Sequence, residues 1–163
     1  MRLVVVRDLS ARDPFDIKRV TGGFLAQEMD LPTEPPEMKV VTEKAPTAAE
    51  ITALRFAWRV VKTTKSNAIV YAKGTVTVGI GGGVYSRIDA NRLAAEKAGE
   101  RARGAVLASD AFFPQTDNIE LAASAGVTAI IQPGGSLKDT EAIAACNRLG
   151  LSMVFTGMRH FRH

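Results

Sequence analysis

Twice in its carboxyl-terminal part the chain runs an apolar helical stretch into a glycine and then directly into an apolar strand. "DNIELAASA" meets Gly126 before "VTAIIQ", and "TEAIAACNRL" meets Gly150 before "LSMVF". A glycine just past a helix supplies the left-handed residue that ends it without a Cβ penalty. Each helix therefore stops and the next strand begins at once. Helices alternating with strands in this way bring the chain back to its sheet in the same direction. The pattern predicts an α/β sandwich with several parallel strands.

The rest of the chain fits that frame. "RLVVVR" is a strand candidate, and "FDIKRVTGGFLAQEMD" reads as a hairpin broken at Gly22–Gly23. "LPTEPPEMK" is proline-rich and predicts a loop, followed by a short strand at "KVVT". Thr47 and Glu50 have the spacing of a capping box, and Ile51, Leu54, Trp58 and Val61 give the helix behind it one buried face. "NAIVYAKGTVTVGIGGG" predicts two strands around a turn at Lys73–Gly74. "SRIDANRLAAEKAGERA" predicts a helix capped by Ser86, and "GAVLAS" a buried strand. The expected organisation is an extended, hairpin-bearing lead-in over residues 1–45 and an α/β core over 46–163.

Composition narrows the function classes. The chain has 163 residues, 46% hydrophobic and 23% charged, which suits a folded domain with its own core. One cysteine, Cys146, excludes an internal disulfide and a four-cysteine zinc site. It lies in an apolar helical run, where a buried inert thiol is expected. No apolar run approaches the roughly 18 residues that a membrane helix needs. The short apolar run near the amino terminus is broken by Arg7 and Asp8 and does not make a signal-peptide core. A cytoplasmic setting is the expectation. The net charge of +4 is spread along the chain, with no basic-aromatic RNA signature and no helix-turn-helix pattern. Neither nucleic acid nor membrane is an expected partner.

In such sheets ligands gather at the carboxyl ends of strands. Three glycine-bearing or acidic loops fall there: "GIGGGVYSR" (79–87), "SDAFFPQTDN" (109–118) and "QPGGS" (132–136). "GIGGG" is neither a dinucleotide fingerprint nor a phosphate-binding P-loop. Its glycines make a tight turn or an anion contact. "QPGGS" is a turn before a helix capped by Ser136, or a set of free N–H groups for a carboxylate or carbonyl oxygen. At least one ring of Phe112–Phe113 belongs to the core. The only histidines are His160 and His163, and no nucleophile elbow or Cys/His pair is present. From the residues alone the reading ends at a small anionic ligand on a loop edge.

Several stretches together carry a resemblance. "KSNAIVYAK", "TVGIGGGVYSRIDANRLAAEKAG", "GAVLASDAFFPQTDN", "GVTAIIQPGGSLKD" and "MVFTGMRHFRH" resemble the carboxyl-terminal part of the bifunctional purine-biosynthesis family that combines AICAR transformylase with IMP cyclohydrolase. "FDIKRVTGGFLAQEMD" and "KVVTEKAPTAAEITALRFAWRVVK" are similar too, so the likeness runs over nearly the whole chain. It implies that residues 1–163 correspond to the second transformylase subdomain, a cytidine-deaminase-like three-layer sandwich with a mixed sheet and no zinc. It implies formyl transfer from 10-formyltetrahydrofolate to the amine of AICAR ribonucleotide.

Roles follow position by position from the resemblance. Asn67 and His163 match catalytic positions. Arg87, Phe112 and Arg159 match positions that hold AICAR. Ile88, Asp117, Asn118 and Ser136 match the folate side. Asp110, with the backbone around Thr64 and Ser66, matches a potassium site in some members. The chemistry suits these roles: arginines fork onto phosphates and amides, and aromatic rings cover imidazole and pterin faces.

Two departures matter. Gln115 stands where the family carries a phenylalanine. The family's Lys-His pair and its cyclohydrolase domain have no counterpart here, so a complementary chain carrying that pair, together with a homodimer, is the expected assembly. A purine-nucleotide-binding module without chemistry, or an assembly piece, is the alternative.

Overall fold

The computed structural model describes residues 14–31, 34–35 and 37–162. The strand expected at "RLVVVR" and the site residue His163 lie outside them. Two compact units divide the chain, Met1–Pro32 and Thr33–His163.

The described residues of the first unit form a hairpin. β1 (Phe15–Val20) pairs antiparallel with β2 (Gly23–Glu28), with Phe15 opposite Glu28 and Val20 opposite Gly23. Gly22 takes the turn at φ 84, a conformation that other residues adopt only with strain. Side chains alternate along a strand. The register therefore puts Phe15, Ile17, Arg19, Phe24, Ala26 and Glu28 on one face and Asp16, Lys18, Val20, Leu25 and Gln27 on the other. Large apolar side chains are exposed on both faces, Phe24 at 71%, Leu25 at 61% and Ile17 at 57%.

The second unit is a three-layer sandwich around a six-stranded mixed sheet of order β3-β8-β7-β6-β4-β5. Its strands are β3 (Lys39–Val40), β4 (Ile69–Lys73), β5 (Val76–Gly81), β6 (Val106–Ser109), β7 (Ala129–Gln132) and β8 (Ser152–Phe155). β6, β7 and β8 run parallel; β4 is antiparallel to both neighbours, and β3 to β8. The three-layer sandwich with a mixed sheet implied by the resemblance is the architecture observed. The lead-in expected over 1–45 divides, because Lys39–Val40 joins the main sheet. There it supplies the partner that the outer edge of β8 requires, and Thr42 Oγ1 accepts the N–H of Met153. The turn after β4 falls at Gly74–Thr75, one residue later than expected.

Strand alternation builds two cores. Val70, Ala72, Val106, Ala108, Ala129, Ile131 and Val154 meet the first helix, α1 (Ala48–Thr63), through Leu54, Trp58 and Val61. The capping box is formed, with Thr47 Oγ1 accepting the N–H of Glu50 and the Glu50 carboxylate accepting that of Thr47. Ile69, Tyr71, Leu107, Ile130 and Met153 face the other way. They meet α2 (Arg87–Ala98), α3 (Asp117–Ser124) and α4 (Asp139–Leu149). α4 ends at Gly150 with φ 71, the left-handed cap read from the sequence. Cys146 is fully buried in this layer, and burial pushes its thiol up to about 12.

α2 lies unusually close to the sheet. Its buried face is Ala90, Asn91, Ala94 and Ala98, and β5 meets it with Gly79 and Gly81. A Cβ on Gly81 would overlap the Ala90 carbonyl, and one on Gly79 the Ala94 carbonyl. These two glycines therefore serve neither of the roles weighed from the sequence; they let backbone approach backbone. Gly83 does take the turn, at φ 70, with its N–H bonded to Lys65 O at 2.6 Å.

Candidate functional site

Strand direction decides where the loops meet. β5 and β6 each run antiparallel to β4, so they point the same way, and β7 and β8 follow β6. The loops after β5, β6, β7 and β8 therefore share one edge with the segment entering β4. That segment, residues 64–67, is bonded to three of those loops, the ones after β5, β6 and β8.

Asn67 is half-buried and follows a cis Ser66–Asn67 peptide. Its Nδ2 donates to Val84 O at 3.2 Å and Tyr85 O at 3.0 Å. Both amide protons are thereby used, and Oδ1 has no bonded partner among the described residues. The side chain offers an acceptor, not the donor that stabilising an oxyanion requires.

Arg87 opens α2 behind the Ser86 cap. Its Nε donates to Ser109 Oγ at 3.0 Å and one terminal nitrogen to Asp110 Oδ1 at 2.7 Å. The pair is nearly closed to solvent, 10% and 1% exposed. Asp110 Oδ2 accepts the Ser66 hydroxyl at 2.7 Å, while the Asp110 carbonyl accepts the His160 N–H at 2.8 Å. Ser66 also exchanges two bonds with Arg162: its N–H donates to Arg162 O, and its Oγ accepts the Arg162 N–H. Asp110, through its carboxylate and its backbone carbonyl, thus ties together the β4 approach, the start of α2, the end of β6 and the tail after β8.

The tail is further held by His160, 1% exposed, whose ring meets Trp58 edge-on at 4.1 Å between centroids. Arg159 instead points outward. It lies 5.1 Å over the Phe161 ring and makes no ion pair among the described residues.

The double phenylalanine splits its duties: Phe113 is fully buried in the core and Phe112 is half-buried at the edge. Gln115 and Asp117 are exposed, Ile88 is half-buried and Asn118 is buried at the start of α3. The "QPGGS" N–H groups are not free. Gly135 and Ser136 both donate to Asp139 Oδ2, at 2.7 and 3.2 Å, and Gly134 donates to Gln132 Oε1. Ser136 does not cap α4 directly; its Oγ accepts the N–H of Lys138, the residue before the helix.

A sequence model of the AICARFT/IMPCHase bienzyme matches residues 1–97. The chain belongs to that family. Its relatives include the bifunctional purine biosynthesis protein PurH of Acetivibrio thermocellus, 54% identical over 100% of this chain and 32% of that protein. The PurH of Chloroflexus aurantiacus is 56% identical over 97% of this chain and 32% of its own length. The chain thus spans about a third of these relatives. Among solved structures, Acinetobacter baumannii RibD, form 2, aligns over 66% of this chain and 34% of its own with 18% identity and a TM-score of 0.44.

Of the site residues expected from the bienzyme resemblance, hydrogen bonds join Asn67 to the loop after β5, and Arg87, Asp110 and Ser66 to one another. Phe112, Ser136 and Arg159 stand on the neighbouring loops of the same edge, and Asp117 and Asn118 in the first turn of α3. Thr64 caps α1 and turns its hydroxyl back onto Val60 O. Sequence reading missed Ser109, which helps aim Arg87, and Asp139, which fills the "QPGGS" turn. No motif marks Ser109. An acidic residue four positions after Gly135 in a helix's first turn was the available sign for Asp139. Among the described residues no helix is long and apolar enough to cross a membrane, and no cluster of three or more His, Cys, Asp or Glu could hold a metal ion.

Proposed function

We propose that this chain is the AICAR-binding and folate-binding part of an AICAR transformylase, acting in the assembly of the purine ring. The single observation that carries the reading is Arg87: Ser109 and Asp110 hold its guanidinium at the loop edge beside Asn67. A fixed fork of this kind suits a phosphate or a planar carboxamide. Arg159, on the adjoining tail, adds a second cation, and Phe112 an aromatic edge. On the folate side stand Ile88, Asp117, Asn118 and Ser136.

In the reaction the AICAR amine attacks the formyl carbon of 10-formyltetrahydrofolate. The carbon–N10 bond then breaks, and the proton lost by the amine returns to the departing nitrogen. Asn67 Oδ1 can accept an N–H of that amine and aim its lone pair. The proton carrier and the oxyanion donors fall to other groups, because the Asn67 amide protons and the Gly134–Ser136 N–H groups are already engaged. His163 is one such group in this chain. The Lys-His pair of a complementary chain or segment is the other, and activity of the isolated chain is expected to be low until it is added.

A potassium ion fits the oxygen donors Ser66 Oγ and Asp110 Oδ2 with backbone near Thr64, as a hard cation prefers. Arg87 already balances the Asp110 charge, so such an ion would order the loop rather than neutralise it.

Calorimetric titration of the chain with AICAR ribonucleotide tests the reading. Saturable binding is expected. Arg159→Ala should weaken it by about 1.5–3 kcal/mol, the usual range for a hydrogen bond to a charged group. An unchanged affinity removes Arg159 from the site, and no binding to the wild-type chain removes the reading itself.

A homodimer is also proposed, through exposed apolar side chains of the hairpin. A two-stranded hairpin is marginal in water by itself, and Ile17 and Phe24 would be covered by a second copy. Sedimentation should give a dimer for the wild type and a shift toward monomer for Phe24→Lys; a wild-type monomer rejects the proposal.

A further inference from the structure

Asn91 is the one polar residue on the buried face of α2, among Ala90, Ala94 and Ala98. It is 0% exposed. A buried carboxamide is costly unless its groups are bonded, and here both ends are. Oδ1 accepts the Tyr71 hydroxyl at 2.7 Å. Nδ2 donates to the Asn118 carbonyl at 2.8 Å and reaches Asn118 Oδ1 at 3.4 Å. Tyr71, itself 0% exposed on β4, supplies a donor and so fixes the carboxamide with its Nδ2 toward α3.

The bonds continue outward. Asn118, 1% exposed, donates from Nδ2 to Asp117 Oδ1 at 2.9 Å, and its backbone N–H donates to the same oxygen at 2.7 Å. Asp117 is exposed in the first turn of α3, whose N-cap residue Thr116 makes no side-chain cap. The start of α3 therefore takes its side-chain anchor from across the helix interface. A continuous line of hydrogen bonds leads from the centre of the sheet to a carboxylate on the site edge.

We infer that Asn91 is a positioning residue. Acting through Asn118, it sets where Asp117 and Asn118 stand, and with them the affinity for the formyl donor. The second half of this inference rests on the proposal that these two residues line the folate side.

The test uses the full chain and two variants: Asn91→Leu, which keeps size and removes both bonds, and Ile130→Ala, which damages the same apolar layer without touching the polar line. Amide hydrogen exchange at Asn118 is the first readout. It should quicken in Asn91→Leu by about tenfold beyond its rate in Ile130→Ala, which is about 1.4 kcal/mol and the usual worth of one hydrogen bond. Titration with 10-formyltetrahydrofolate should weaken by a similar factor, while AICAR ribonucleotide binding stays within about twofold of wild type. Equal exchange in the two variants overturns the positioning role. Faster exchange with both affinities falling together overturns the link to the formyl donor. If the wild-type chain takes up no 10-formyltetrahydrofolate, the folate reading fails, and the exchange rates still decide the role of Asn91. Should Asn91→Leu not fold, Tyr71→Phe releases the other end of the carboxamide and should quicken Asn118 exchange in the same direction.

Discussion

Replacing Asp110 with alanine is expected to lower folding stability by about 3–5 kcal/mol, the range for removing one partner of a buried ion pair. The loss has three parts. The Arg87 guanidinium, in a pair only 10% and 1% exposed, is left without its carboxylate. The Ser66 hydroxyl loses its acceptor. The tail keeps its bond from His160 N–H to the residue-110 carbonyl, but the side chain that ordered Ser66 against Arg162 is gone. Domain stabilities of about 5–15 kcal/mol make this a large fraction of the total. Urea unfolding near neutral pH should show a lower midpoint at unchanged slope. A loss below about 1 kcal/mol would mean that Arg87 swings out to water, leaving the ion pair no part in holding the site edge.

Gly81→Ala is the second severe change. Its Cβ would overlap the backbone carbonyl of Ala90, and backbone cannot rotate away as a side chain can. Overpacking usually costs about 1–3 kcal/mol and more when nothing can yield, so a loss at or above the top of that range is expected. The helix must lift from β5, and Arg87 is its first residue. Nucleotide affinity should therefore fall along with stability. Val76→Ala on the same strand, 63% exposed, is the control and should stay within about 0.5 kcal/mol of wild type. A Gly81→Ala protein as stable as that control would show that α2 does not rest on β5 as described.

What the sequence disclosed and what it hid differ by range. Local signals read true. Thr47 with Glu50, Ser86 before Asp89, and Gly126 and Gly150 after their helices act within a few residues of themselves, and each stands where the spacing put it. The gathering of loops on one edge was also legible, because it follows from strand direction alone. The hidden features need three-dimensional neighbours. The Arg87–Asp110 pair links residues that meet only once β4 separates β5 from β6. Gly79 and Gly81 look like part of a glycine-rich turn until α2 is laid across them. The "QPGGS" amides look available until Asp139 folds back from its helix. Asn91 reads as an ordinary helix-surface residue beside Arg92, and only the packing of α2 between β4 and α3 shows it to be buried.

The outer pairing of β3 with β8 has a consequence for how the domain is made. Thr42 and Met153, joined there by a hydrogen bond, are 111 residues apart in the chain. Contacts of such separation demand loop-closure entropy before they return any stabilisation, and they slow folding. During synthesis β4 to β7 can pair while β8 is still unmade. Until it arrives, the outer rim of β7 stands open, with Ile130 and Ile131 in the middle of its strand. An open apolar strand rim is where chains join one another wrongly. The period of greatest aggregation risk for this fold is therefore the interval between completing β7 and inserting β8, which the short run from Gln132 to Ser152 keeps brief.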